Sequence, residues 1–536
     1  MGWSKQSSLT ALIMLASWFT SAVYSNTVYI STSSNASCLD CITISQFANQ
    51  FRGHHESNTT AILLSGNHVL KENLVIKNVS YFSLIVEVGT EEVSLLCAEH
   101  VSMKFQSTLS IQVSSITLIG CVANQVENVG QFRLEDSIII FLKNSPELAL
   151  SIIESSVLIR RTSFLHIHPI GSVQNSSSYA KTYYRYPVEF YGAIISLNST
   201  LVILDSAFEG SKVGSIGGAI YTERNDLVIK RCNFSFYTRS CKHQCYGGAL
   251  FAINSRVAIS VSNFIGNEIT YYKPSNRNEC HGSSITRGGA LGFIDSTVMI
   301  DQTNFFDNSA CTGGAVHTLR GIVSILNANF MHNRAFSTGS GVSAIAAACV
   351  YINNCNLTFN LALRKGTLSI LDSIVILNNS NFYRNMAGIN GGAIKTTNKA
   401  TVIVSQSMIL DNGANHTGGG IYATYNSTIL LERSILKHNF ACKAGGGIKA
   451  HHDSKLLFWD KVIIKNNAAY YGGAVHMHFS SLISNGMLII TNNSAALGII
   501  AFLYSQGHFK EISYWNITLA PYLSSIATFK VMVTSI

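Results

Sequence analysis

The sequence predicts an all-β fold, a single-stranded right-handed parallel β-helix wound in turns of about 25 residues. Three observations carry that expectation. The first is a recurring Gly-Gly-small-aliphatic signature, at Gly217-Gly218-Ala219-Ile220, Gly247-Gly248-Ala249-Leu250, Gly288-Gly289-Ala290-Leu291, Gly313-Gly314-Ala315-Val316, Gly391-Gly392-Ala393-Ile394, Gly418-Gly419-Gly420-Ile421, Gly445-Gly446-Gly447-Ile448 and Gly472-Gly473-Ala474-Val475; the last four are 27 residues apart at each step. Worn copies stand at Tyr191-Gly192-Ala193-Ile194, Gly339-Ser340-Gly341-Val342, Lys365-Gly366-Thr367-Leu368 and Leu497-Gly498-Ile499-Ile500. The second is an apolar residue, two spacers and an Asn later in each copy, as in Phe264…Asn267, Phe305…Asn308, Phe330…Asn333, Phe382…Asn385, Leu436…Asn439 and Ile464…Asn467. The third is the alternating, β-branched character of the segments between them, such as 400–405 and 426–431.

Each element has a physical reason. At about 3.3 Å per residue, 25 residues make three short strands and three corners. A Gly-Gly pair lets the backbone turn with φ > 0 where a Cβ would be strained. The small residue after it points inward, and Asn at one corner stacks on Asn of the next turn as a ladder, with Phe filling the interior. Ordering one turn costs roughly 25–50 kcal/mol of backbone entropy, while about eight inward side chains return roughly 12–24 kcal/mol. No turn is therefore stable alone, and neighbours must supply the rest.

Composition bounds the class. The 536 residues are 47% hydrophobic and only 12% charged, with 5 Pro. No apolar run after the N-terminus approaches the roughly 20 residues that a spanning helix needs, so no transmembrane segment is expected beyond the leader. Lys5, the apolar run 9–19 and the small residues Thr20, Ala22 and Ser25 read as a secretory signal peptide over 1–24. Asn-X-Ser/Thr sequons at Asn35, Asn58, Asn78, Asn175, Asn198, Asn233, Asn356, Asn378, Asn415, Asn426, Asn492 and Asn516 are candidates for N-glycosylation in an exported chain. Twelve cysteines fit an oxidising compartment. Candidate disulfide partners are Cys38 with Cys41, Cys97 with Cys121, the cluster Cys241, Cys245, Cys280 and Cys311, and the pair Cys349 and Cys355 that flanks one strand; Cys442 has no evident partner. The net charge of +9 is scattered and not gathered into a basic stripe, so no nucleic-acid partner is expected.

The chain divides into the signal peptide, an N-terminal cap over 25–60, irregular β-helix turns over 61–190, regular Gly-Gly turns over 191–515, and a terminal strand or tail over 516–536 where a longer protein is cut short or the chain ends. The paired Gly-Gly-Ala-Ile and Phe-x-x-Asn landmarks resemble the repeats of chlamydial polymorphic outer-membrane proteins. Cys38-Leu-Asp-Cys41, 62–68, Ile119-Gly-Cys121 and 131–137 are similar to the cap of secreted invertebrate right-handed β-helix proteins. The resemblance covers nearly all of the mature chain and implies the fold; it implies little about activity.

For function, the sequence points to a secreted, non-catalytic scaffold for adhesion or recognition of glycans or surface proteins. The alternatives are a polysaccharide lyase or hydrolase and a purely structural coat or matrix protein. Three insertions, 171–190, 236–245 and 268–287, are rich in Tyr and basic residues. They nominate Tyr183, Tyr184, Tyr186, Tyr237, Tyr246, Tyr271, Tyr272, Arg239, Lys273 and Arg277 as a binding surface on one edge. The motifs of pectin hydrolases are missing. Asp205, Asp295 and Asp372 share an Asp-Ser context within predicted strands that would line one face, with a surface turn as the plainer reading. His451 and His478 stand at equal offsets from Gly445 and Gly472, with His452 and His476 beside them, which stacks them on adjacent turns. No catalytic residue, cofactor or metal site is expected.

Overall fold

The computed structural model describes residues 26–32, 42–50, 58–87, 93–98, 101–121, 124–141, 150–166, 193–210, 218–241, 245–271, 280, 286–497, 501–504 and 509–512. They form a right-handed parallel β-solenoid of about 14 turns of roughly 27 residues. Helix among the described residues is limited to Ile44–Gln50. This short segment is the one departure from the all-β expectation among the described residues. Ile44, Phe47 and Ala48 of this helix are buried, and Phe47 stacks on Phe82 at 6.3 Å, so the segment covers apolar surface at the first turns.

A regular turn has four strands where three were expected. After the Gly391 corner they are Ile394–Thr397, Thr401–Ser405, Met408–Leu410 and Gly413–Ala414. Each pairs in parallel with its counterpart one turn on, Ile394 with Ile421, Thr401 with Thr428, Met408 with Ile435 and Gly413 with Phe440. The fourth strand is too short to display an alternating pattern in the sequence.

Inward positions of the first three strands carry the apolar core. Phe164, Phe208, Phe234, Phe264, Phe305 and Phe330 stack face to face on successive turns, with ring centroids 4.5–5.3 Å apart. The small residue of the signature is fully buried, as at Ala219, Ala315 and Ala393. Gly391 has φ 69°, and a Cβ on Gly392 would lie 2.3 Å from the Gly419 carbonyl oxygen of the next turn, a position no side chain can occupy.

The other corners are made mostly without glycine. Asp295, Gln302 and Asp307 turn one coil through left-handed conformations at φ 50°, 48° and 54°. Each is followed by a buried polar residue, Ser296, Thr303 and Asn308. At the third corner the Asn side chains form a continuous internal ladder from Asn267 to Asn493. Asn412 Oδ1 accepts the Asn385 backbone N–H at 3.0 Å and Asn385 Nδ2–H at 2.9 Å; its own Nδ2 donates to Phe382 O at 3.0 Å and Asn439 Oδ1 at 3.0 Å. At the first corner Ser takes this part, as where the Ser255 N–H donates to Ser296 Oγ at 3.2 Å. These contacts explain the Asp-Ser dipeptides: the Asp makes the left-handed turn and the Ser enters the ladder. They agree with the plainer reading of Asp205, Asp295 and Asp372 as surface turns and remove the alternative of one acidic face. Asp205 sits at the second corner of its turn and Asp295 and Asp372 at the first, and Asp205 and Asp295 pair with Arg231 and Arg320.

Cys97 is bridged to Cys121 and Cys280 to Cys311, and Cys245 is also disulfide-bonded. Cys349 and Cys355 are corrected to free thiols. Cys349 faces outward on its strand, whereas Cys355 is buried and donates to Ile325 O, so their side chains point to opposite sides of the wall. Cys442 is free and exposed, and Cys232 is free and buried. Cys38 and Cys41 lie outside the described residues, as does the side chain of Cys241.

Replacing Asn412 by Ala removes four buried hydrogen bonds inside the coil. The expected loss of stability is about 3 kcal/mol or more, read as a drop in the urea midpoint. Asn381→Ala, in the exposed ladder that links Asn381 Nδ2 to Asn356 Oδ1, should change stability by less than about 1 kcal/mol. Equal effects at the two positions would contradict the assignment of stability to the internal ladder.

Candidate functional groove

The Gly-Gly corner builds a groove on the outside of the coil. The residue before the first glycine forms a row that pairs from turn to turn: Tyr246, Arg287, Thr312, Thr338, Lys365, Asn390, Thr417, Ala444 and Tyr471. The glycine then folds this row back over the first strand. A Cβ on Gly391 would sit 3.0 Å from Lys395 Cβ, and one on Gly472 2.9 Å from His476 Cβ. Outward side chains of the first strand are therefore covered although they do not belong to the core.

These covered residues occupy the fifth position of the signature and form the groove floor. In order they are Tyr221, Phe251, Gly292, His317, Ser343, Ser369, Lys395, Tyr422, Lys449 and His476, in strict pairing register. The far side is the outward residue two positions on, from Glu223 through Ile253, Ile294, Leu319, Ile345 and Leu371 to Thr397, Thr424, His451 and His478.

Ionisable groups concentrate at one end. Lys395 and Lys449 are each only 7% exposed. Burial, with Lys365 nearby, pulls the Lys395 amine down to about 7. Burial, with Lys443 nearby, pulls Lys449 down to about 7 as well. Lys449 Nζ is hydrogen-bonded to His476 Nδ1. Burial and then Lys449 hold His476 at about 3, and burial and then His452 hold His451 at about 4. Burial also lowers His478 and raises the Tyr422 hydroxyl above its ordinary value. His451 stacks on His478 at 4.6 Å, Tyr425 stacks on His452 at 4.5 Å, and Tyr471 meets His476 edge-on at 6.3 Å. No group of three His, Cys, Asp or Glu among the described residues is placed to hold a metal ion.

The result is a row of weakly basic amines and imidazoles beside a phenol, without a carboxylate. Among the described residues of the three groove rows Glu223 is the one acid, and it accepts from the Tyr221 hydroxyl at 2.9 Å, at the other end. A hydrolytic pair of carboxylates about 5–10 Å apart is not assembled here. A base that is partly neutral near pH 7, next to a proton donor and further cations, suits removal of a proton from carbon beside a carboxylate.

The residues nominated from the insertions fare differently. Tyr246 lies in the groove wall. Tyr237 is corrected from a binding residue to a core residue: it is 1% exposed, in the hydrophobic cluster, because its turn directs it inward beneath the Gly218 corner. Tyr183, Tyr184, Tyr186, Tyr272, Lys273 and Arg277 lie outside the described residues. Arg239 and Tyr271 are placed by backbone alone, on the paired strands Thr238–Cys241 and Glu268–Tyr271. The equal offsets of His451 and His478 correspond to adjacent turns. Lys395, Tyr422 and Lys449 are not among the residues the sequence nominates, although each directly follows a Gly-Gly signature, because that fifth position carries no fixed residue type.

No family model matches the chain and no curated protein matches it, so the resemblance to chlamydial and invertebrate repeats finds no support beyond the fold. Solved structures do match. A periplasmic alginate epimerase is 13% identical, over 78% of this chain and 77% of its own, with a TM-score of 0.27. The catalytic domain of a GH87 α-1,3-glucanase in complex with tetrasaccharides is 10% identical, over 92% and 70%, with a TM-score of 0.30. A mannuronic-acid-specific polysaccharide family 6 lyase from human gut microbiota is 8% identical, over 81% and 87%, with a TM-score of 0.26. The expectation of a non-catalytic adhesive scaffold, without lyase or hydrolase activity, is corrected here. The matched structures are an epimerase, a glucanase and a lyase, and this chain's groove holds acid–base side chains. The likeness itself is one of fold, and the chemistry argued below rests on the chain's own residues.

The buried amines predict a pH signature. Lys449 titrates at about 7 in the fold against an ordinary 10.5, so between those values the unfolded chain binds a proton that the folded chain does not. Stability should therefore rise with pH across that window. Lys449→Met should flatten the rise and increase the melting temperature at and below neutral pH. An unchanged slope would contradict burial of an uncompensated amine.

Proposed function

We propose that the chain is a polysaccharide-modifying enzyme that removes a proton from acidic, uronate-type sugars and cleaves the chain by β-elimination in this groove. The observation that carries the reading is the covered row Lys395–Tyr422–Lys449–His476, which has bases and a proton donor but no carboxylate. The neutral Lys449 amine takes the proton from the carbon beside the sugar carboxylate. The electron pair left behind forms a double bond to the next carbon, whose bond to the glycosidic oxygen breaks. That oxygen takes the Tyr422 hydroxyl proton, and Lys449 and Tyr422 reset by exchange with water. Lys365 and Lys395, in their ammonium forms, oppose the charge that builds on the substrate carboxylate. His476 holds Lys449 in place through its Nδ1 contact.

The leader sequence, the disulfides and the sequons support an exported glycoprotein as the setting for such an activity. Of the described sequons, Asn78, Asn198, Asn233, Asn356, Asn415, Asn426 and Asn492 are exposed, whereas Asn58 and Asn378 are half-buried.

Incubation with alginate, polygalacturonate and hyaluronan should release an unsaturated product from at least one, followed by its ultraviolet absorbance. The rate should peak near pH 7, where Lys449 has begun to lose its proton and Lys395 still keeps part of its own. Lys449→Met should lower kcat roughly a hundred- to ten-thousandfold, and Tyr422→Phe should lower kcat with little change in KM. Inversion of the sugar without cleavage would keep the abstraction and overturn the elimination. No change in any acidic polysaccharide, or full activity in Lys449→Met, would overturn the reading.

A further inference from the structure

Three turns along the groove from Lys395, a second set of polar groups is buried without partners. His317 on the floor is 0% exposed, and neither ring nitrogen has a hydrogen bond. Its register partner one turn on, Ser343, is 1% exposed with an unpartnered Oγ. On the wall above, the Arg287 Nε is buried and unpartnered, while Nη1 donates to the Tyr246 hydroxyl and the guanidinium lies 5.2 Å from the Tyr246 ring centroid. The Tyr246 ring is 6.2 Å from the His317 ring.

Arg287 is fixed in place. The neighbouring Thr286 Oγ1 donates to Ile269 O at 3.1 Å and accepts the Cys311 N–H at 2.9 Å, and Cys311 is bridged to Cys280. The nearby Arg320 is paired with Asp295 at 2.6 Å, but Arg287 has no carboxylate partner among the described residues. Burial, with Arg287 adding to it, holds His317 neutral, down to about 3. Four buried polar atoms without partners in one place, one of them on a cation, call for a ligand with acceptor oxygens.

We propose that Arg287, His317 and Ser343 form a second subsite in the groove, which takes a carboxylate, and that an acidic chain bound at Lys395 places another of its carboxylates there. The inference rests on the reading of the groove as a site for acidic polysaccharides. Three turns at about 4.8 Å each separate the two sites by roughly 14 Å along the coil, so only an oligomer reaches both. Arg287 Nε–H, the Ser343 hydroxyl and one N–H of His317 donate to the carboxylate oxygens. Tyr246 must give up part of its contact with Arg287 to admit it.

Binding, not turnover, tests this. Dissociation constants are measured for acetate, a single uronic acid and uronate oligosaccharides of increasing length, in the full chain and in the Lys449→Met background. Affinity should climb steeply once the oligosaccharide spans the two sites. Arg287→Met should weaken the long oligosaccharides about tenfold or more and leave the single sugar unchanged. Ser343→Ala removes a hydroxyl without an internal partner, so it should leave the melting temperature unchanged or raised while weakening the long oligosaccharides severalfold. Acetate bound through Arg287 without any length dependence would assign the pocket to a free small acid and overturn the polymer subsite. Turnover with no effect of Arg287→Met or Ser343→Ala would overturn the subsite alone. Length-dependent binding through Arg287 with no turnover would uphold the subsite while the elimination reading fails.

Discussion

The whole molecule depends on one constraint: each turn must place its backbone where the previous turn leaves no room for a side chain. The Gly419 carbonyl stands 2.3 Å from where a Cβ of Gly392 would be, and the Gly446 carbonyl 2.6 Å from where a Cβ of Gly419 would be. That contact fixes the register at one corner. The Asn ladder fixes it at another, because each Asn satisfies the backbone of the turn before it. With two corners in register the strands between them have no freedom to slip, and inward residues stack like on like. A one-residue slip would turn the Phe column to solvent.

The groove is a by-product of the same corner. A left-handed glycine brings the preceding residue back over the first strand, so an outward row is covered by a wall that carries no net acid. Charged side chains placed on this row lose hydration without gaining an ion pair. At most turns the row is filled by Ser, Gly or aromatic residues that tolerate this. At Lys395 and Lys449 it holds amines, which respond by losing basicity. Burial of an unpaired cation is unfavourable for folding, and its occurrence twice within three turns is the feature on which the proposed function rests.

The fold was legible because its signals are periodic. The Gly-Gly corner and the Phe-x-x-Asn pair recur often enough to be recognised, and each has one physical cause. The left-handed corners at Gln302 and Asp307 were not legible, since many residue types serve there, and the Asp-Ser dipeptides read as surface turns without revealing that the Ser is a ladder rung. The groove floor was harder still. A position that varies among Tyr, Phe, Gly, His, Ser and Lys has no pattern, and only the folded wall distinguishes it from ordinary solvent-facing strand residues. The stacked histidines were visible by their spacing, but Lys449, between them and the corner, was not. Tyr237 misled for the reverse reason: it sits in an insertion rich in exposed residue types, yet its turn directs it inward.

The central claim is that the corner forces amines into a dry groove, and the titration of Lys449 tests it most directly. Carbon-13 labelling of lysine, with Lys449→Met used to assign the signal, would follow its side-chain methylene shift from acid to alkaline pH. The account predicts a midpoint near 7, well separated from the bulk of the lysines. A midpoint near the ordinary 10.5 would show a hydrated surface amine and would contradict the groove as a site of proton abstraction.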